Sequence, residues 1–136
     1  MADAKILVID DDPDLVEGMK IALEANGFQV ETAENGTEGL EKIKTVAPDL
    51  IVMDVMMDTI TEGFQVSQKI KSPDPKSEYK PYAHIPILML TGISQKMNMD
   101  FSPEKDEDFL PVEAFIEKPV KLDALIEKIK KMLQKS

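Results

Sequence analysis

Short runs of consecutive apolar residues alternate along the chain with longer stretches whose apolar residues recur at helical spacing. Lys5-Ile6-Leu7-Val8-Ile9 is a compact β-branched run followed by three aspartates and Pro13. Asp12 is placed to cap a helix that begins at Pro13, where the missing N–H costs nothing. Leu15, Met19, Ala22 and Leu23 continue that helix, and Gly27 is placed to stop it. Phe28 to Ala33 alternates as a strand at or near a sheet edge does. Asn35-Gly36 then turns the chain into a second helix carrying Leu40, Ile43 and Val46, ended by Pro48. Leu50-Ile51-Val52-Met53 is another continuous apolar run ending in an aspartate, and a weaker helix is predicted from Glu62 to Lys71. Ile85 to Leu90 makes a fourth strand ending at Thr91-Gly92, and Ala114 to Glu117 makes a fifth, closed by Lys118-Pro119. Leu122, Leu125, Ile126, Ile129, Met132 and Leu133 stripe a final helix.

Strands alternating with helices predict βαβ units and a parallel sheet covered on both faces. Five such strands make a doubly wound α/β open sheet, in which ligands sit beyond the carboxyl ends of the strands. Two segments break the rhythm. Ser72 to His84 holds three prolines and no apolar period, which reads as a surface loop. Ser94 to Val112 holds two prolines and five acidic residues, and supports only a short helix where the architecture asks for one.

At 136 residues the chain fits one domain, 1–136, with enough length for a single core. The formal net charge is −10, from 26 acidic against 16 basic residues, which argues against nucleic acid as a partner. The C-terminal lysines (Lys128, Lys130, Lys131, Lys135) alternate with apolar residues and read as a solvated helix end, where the helix dipole favours cations. No cysteine is present, so disulfide and thiolate chemistry are excluded. The N-terminus is acidic too early for a signal peptide, and no apolar run reaches the length of a membrane span. A soluble cytoplasmic protein is the expectation.

The chemistry lies at the predicted strand ends. Asp10, Asp11 and Asp12 follow the first strand, Asp54 the third, Thr91 the fourth and Lys118 the fifth. In a parallel sheet these ends share one edge, so the groups converge although they are distant in sequence. Clustered carboxylates repel unless a cation answers them, and a hard divalent ion such as Mg²⁺ does so with oxygen ligands. A lysine and a threonine hydroxyl beside the cluster suit phosphoryl oxygens. Such a set matches what phosphoryl transfer to a carboxylate requires, namely positioning and charge neutralisation. Asp54 is the best acceptor because its strand delivers it singly. Each residue taken alone has a bland reading as a cap or a turn residue; their joint placement does not.

KILVIDDDP, DLIVMDVMM, ILMLTG and FIEKPV resemble the four motifs of the receiver domain of two-component response regulators, and the resemblance covers essentially the whole chain. It implies the flavodoxin-like (βα)5 receiver fold. It also implies that Asp11 binds Mg²⁺ directly, Asp10 mainly through water, and that Asp54 is both phosphoacceptor and ligand. The main-chain carbonyl of Met56 would complete the protein ligands. Lys118 would pair with the phosphoryl group, and its bond to Pro119 resembles the family's cis peptide. Thr91 would be the switch hydroxyl and Phe115 the aromatic that rotates in response. Three consecutive aspartates leave Asp12 as an alternative to Asp10.

The resemblance implies a sensor histidine kinase or phosphotransfer protein as donor and a protein target downstream. If this is the whole protein, no output domain is expected after the last helix, and the expectation is a stand-alone regulator, not an enzyme beyond its own phosphorylation and slow dephosphorylation. The alternatives are a phosphorylation-independent interaction module on the same fold and an aspartyl-nucleophile phosphatase. The haloacid dehalogenase type of the latter needs a second aspartate two residues after the nucleophile, where Met56 stands.

Three departures from the family pattern are visible. The turn from Met56 to Gly63 lacks the usual proline and is one residue longer. The Ser72–His84 connection is longer than usual. The stretch between the fourth and fifth strands contains Ser102-Pro103 and Pro111, which puts in doubt a dimer formed through that helix and the final strand and helix. Met56 and Ile93, two residues past Asp54 and Thr91, are both apolar and cannot orient an attacking water, so an aspartyl phosphate here should decay slowly. His84, the only histidine, reads as a loop residue.

Overall fold

The computed structural model describes residues 4–54, 62–72, 74–91, 114–117 and 120–135. Among them, five strands form one parallel sheet: β1 (Lys5–Ile9), β2 (Gln29–Ala33), β3 (Leu50–Asp54), β4 (Ile87–Thr91) and β5 (Ala114–Glu117), in the order β2-β1-β3-β4-β5. Between and after them lie α1 (Pro13–Ala25), α2 (Gly36–Val46), α3 (Glu62–Ile70), a short 3₁₀ turn (Lys80–Tyr82) and α4 (Leu122–Lys135). The predicted doubly wound α/β fold is present. The helix expected between β4 and β5 falls outside the described residues.

Side-chain alternation sorts each strand between two faces. Leu7, Ile9, Ile51, Met53, Ile87 and Met89 point to the face covered by α2 and α3, through Ile43, Val66 and Ile70. Ile6, Val8, Leu50, Val52, Leu88 and Leu90 point to the face covered by α1 and α4, through Met19, Leu23, Leu125 and Ile129. β1 and β3, both inside the sheet, are therefore almost wholly apolar, while β2 at the edge alternates exposed and buried positions.

The helix ends follow local chemistry. Asp12 Oδ1 accepts from the N–H groups of Asp14 and Leu15 at 3.1 and 3.3 Å, capping α1. At its far end Phe28 N–H donates to Leu23 O and Gly27 N–H to Glu24 O, both at 3.1 Å, with Gly27 at φ 91°. That pairing is a Schellman stop, closed by contact within one apolar cluster between Leu23 and Phe28. It also explains why β2 begins at Gln29 and not at Phe28, whose N–H already serves the helix. Similarly, Ile85 N–H donates to Tyr82 O at 3.1 Å and Pro86 has no N–H, so β4 begins at Ile87 and not at Ile85.

Asn35 caps α2 by accepting from Glu38 N–H at 2.9 Å, and the Glu38 carboxylate accepts from Glu34 N–H at 2.8 Å. The helix stops at Ala47, held in the left-handed region at φ 49° immediately before Pro48. Near its start, α2 lies so close to β1 that a Cβ on Gly39 would press on the Ile9 side chain. Within the Ser72–His84 connection, residues 74–84 form a chain of hydrogen-bonded turns with Tyr82 packed against the core.

Candidate phosphoacceptor and metal site

The parallel register fixes where the strand ends meet. Ile9 pairs with Met53, Asp54 with Leu90, and Thr91 with Glu117. Asp10 and Asp11 follow β1 directly, Asp54 is the last residue of β3 and Thr91 the last of β4. One oxygen from each of Asp10, Asp11 and Asp54 lies within 4.8 Å of the others. Asp10 and Asp54 are each 2% exposed, whereas Asp11 is exposed. Two carboxylates are thus held out of water beside a third that faces it, an arrangement whose mutual repulsion a bound cation would relieve.

The three consecutive aspartates divide by role. Asp10 Oδ1 accepts from the Asp12 N–H at 3.0 Å, which fixes its carboxylate, and Asp10 N–H donates to Ala33 O at 3.1 Å. The carboxylate of Asp12 caps α1 and is not in the group of three. Of the two candidates the sequence leaves open, Asp10 is the one gathered with Asp11 and Asp54.

The oxygen-only donor set suits a hard divalent ion such as Mg²⁺ and not a soft one. On its Asp11 side the set faces solvent. Phe115 is half-buried on β5, opposite Met89, and packs against the cluster under α2 and α3. Met56, Ile93, Lys118 and Pro119 lie outside the described residues, as does the side chain of Thr91. His84 is exposed in the connection before β4.

Sequence reasoning missed a groove beside the site. It opens from Asp10 and Asp11 between α1 and the β2–α2 turn, lined also by Glu17, Lys20, Glu34 and Asn35. The signal was available, since that turn leaves the same edge of the sheet as Asp10. Among the described residues no helix is long and apolar enough to cross a membrane.

A family model for the response regulator receiver domain matches residues 6–130. The response regulator MprA of Mycobacterium ulcerans is 32% identical over 97% of this chain and 51% of its own length, so the chain spans about half of that curated relative. Among solved structures, the chemotaxis response regulator CheY4 of Vibrio cholerae is 28% identical with a TM-score of 0.74, over 94% of this chain and 97% of that one. The receiver domain of NtrX from Brucella abortus is 26% identical with a TM-score of 0.75, over 96% and 99%. The match spans both apolar faces, the carboxyl edge and all three clustered aspartates, and on it the chain belongs to the response regulator receiver domain family.

Proposed function

We propose that this chain is a phosphorylation switch whose acceptor is Asp54. An Asp54 carboxylate oxygen attacks the phosphorus of a phosphohistidine on a sensor histidine kinase or phosphotransfer protein. The P–O bond forms as the P–N bond breaks, and the imidazole leaves with its electron pair and takes up a proton. The observation that supports this reading is the gathering of Asp10, Asp11 and Asp54 at the carboxyl edge of the sheet, two buried and one exposed.

Asp10, Asp11, Asp54 and the main-chain carbonyl of Met56 are the groups that would hold Mg²⁺. Bound there, the ion supplies charge neutralisation for the phosphoryl oxygens. Lys118 grips a phosphoryl oxygen by charge, and the Thr91 hydroxyl donates to another. Phosphorylation adds charge and acceptor oxygens at Asp54, draws Thr91 inward and frees room for Phe115 to turn in. The signal then passes to a protein target, since the chain's acidity disfavours nucleic acid. The expected setting is the cytoplasm. The chain catalyses only its own phosphorylation and slow dephosphorylation.

The test is the intact mass after incubation with acetyl phosphate and Mg²⁺, for the wild type and for Asp54→Asn. One phosphoryl adduct on the wild type and none on the variant is expected. No adduct on the wild type, or an equal adduct on the variant, overturns the assignment and leaves a phosphorylation-independent interaction module.

A further inference from the structure

The connection between α3 and β4 has no apolar period, yet its backbone is closely bonded. Lys76 N–H donates to Asp74 Oδ1 at 2.9 Å, Ser77 N–H to Asp74 O at 3.0 Å and Tyr79 N–H to Ser77 Oγ at 3.2 Å. Lys80, Tyr82, Ala83 and Ile85 donate in turn to the carbonyls of Ser77, Tyr79, Lys80 and Tyr82, at 2.8 to 3.2 Å. Three sets of contacts fasten this segment to the helices. Tyr82 packs against the cluster that includes Ile43 of α2 and Val66 and Ile70 of α3. Lys44, in the last turn of α2, pairs with Glu78 and sits 5.0 Å over the Tyr79 ring. From the other side Lys71 Nζ donates to Ile85 O at 2.8 Å, tying the end of α3 to the residues that lead into β4.

We propose that residues 74–85 act as a strap that joins the end of α2 to the start of β4 as one cooperative unit. Tyr82 is its main anchor. The Lys44–Glu78 pair is exposed on both sides, and pairs of that kind contribute little; the ring of Tyr82 removes apolar area from water at the core. The strap holds the start of the strand that ends in Thr91. If Asp54 is the phosphoacceptor, as proposed above, the strap confines the resulting movement to the carboxyl end of β4. That last step rests on the phosphoryl-switch reading; the strap itself does not.

Native-state hydrogen exchange on the full chain, without Mg²⁺ or phosphodonor, tests the strap apart from that reading. The amides of Tyr82, Ala83 and Ile85 should be protected in the wild type. Tyr82→Ala should speed exchange by about tenfold or more at 79–85 and also at 43–47 in α2, relative to β1 amides that report global unfolding. Tyr82→Leu should give a smaller change of the same pattern, and keeps the test open if the alanine variant fails to fold. Lys44→Met should loosen 76–80 only slightly. Exchange of the wild-type segment at the rate of an unstructured peptide overturns the proposal. So does a Tyr82 variant that loosens 79–85 and leaves α2 unchanged.

Discussion

Asp10 Oδ1 accepts the backbone N–H of Asp12 at 3.0 Å, while the Asp12 side chain turns away to cap α1. One short turn thereby assigns three like residues to separate tasks. Asp10 is oriented toward Asp54, Asp11 is left facing solvent beside both, and Asp12 closes the helix. The electrostatic cost of the cluster and the mechanical support of the helix can be changed independently.

Asp12→Ala should lower stability by about 1 kcal/mol, the usual loss for an N-cap carboxylate. Affinity for Mg²⁺ should stay close to the wild type, because the Asp12 carboxylate is outside the group of three. Denaturant unfolding together with a metal titration checks both halves. A tenfold loss of affinity would show that Asp12 supports the site through more than the cap.

Asp10→Asn and Asp54→Asn should act in the opposite direction. Each removes one charge from a pair of buried like charges within 4.8 Å of each other. Relief of that repulsion should raise the stability of the metal-free protein by about 1–2 kcal/mol. In the wild type, Mg²⁺ at a hundredfold excess over its Kd should raise stability by about 2.7 kcal/mol, reversed by chelator. Both variants should lose most of that gain. Thermal melts with and without Mg²⁺ distinguish this from a merely structural cluster, for which the ion would change nothing in any of the three proteins.

Much of this was legible in the chain itself. The central strands are read from their unbroken apolar runs, and the α1 boundaries from Asp12, Pro13 and Gly27, because each of those residues answers one local need. The division among Asp10, Asp11 and Asp12 was legible only in part: Pro13 marks Asp12 as the cap, but a metal ligand and a helix cap call for the same side chain, which left Asp12 as an alternative to Asp10. The order in residues 74–85 was hidden for another reason. It comes from side-chain-to-backbone turns at Asp74 and Ser77 and from a single aromatic anchor, and neither leaves a hydrophobic period. The edge position of β2, by contrast, was plain in its alternation.

Gly39 tests how tightly α2 is seated. A Cβ there would stand 2.5 Å from Ile9 Cδ1 and 3.0 Å from its Cγ1, and Ile9 is fully buried. Gly39→Ala gains up to about 1 kcal/mol in helix propensity. Overpacking a rigid strand residue costs typically about 1–3 kcal/mol, so a net loss is expected. Ile9→Val removes the atom that clashes most, and the double variant should recover part of the loss. A double-mutant cycle with no coupling would mean that α2 shifts outward instead.

Ala47 offers a stabilising change. It ends α2 at φ 49° and ψ 63°, a conformation that penalises any Cβ. Glycine adopts it freely, at the cost of greater freedom in the unfolded chain. Ala47→Gly should therefore add about 0.5–1 kcal/mol, read as a higher denaturant midpoint at an unchanged slope.

The lifetime of the phosphoryl group proposed on Asp54 would be set by what can hold a water against it. Hydrolysis of an aspartyl phosphate needs a nucleophile aligned opposite the carboxylate oxygen, and a polar side chain nearby is the usual means of alignment. Met56 and Ile93, two residues beyond Asp54 and Thr91, offer no hydrogen-bond acceptor for such a water. Decay at neutral pH in Mg²⁺ should accordingly take minutes or longer, followed by intact mass after removal of acetyl phosphate. Met56→Asn changes only a side chain and keeps the main-chain carbonyl proposed as a metal ligand. It should shorten the lifetime without reducing the extent of phosphorylation. A wild-type lifetime of seconds would mean that water reaches the phosphorus without help from either position.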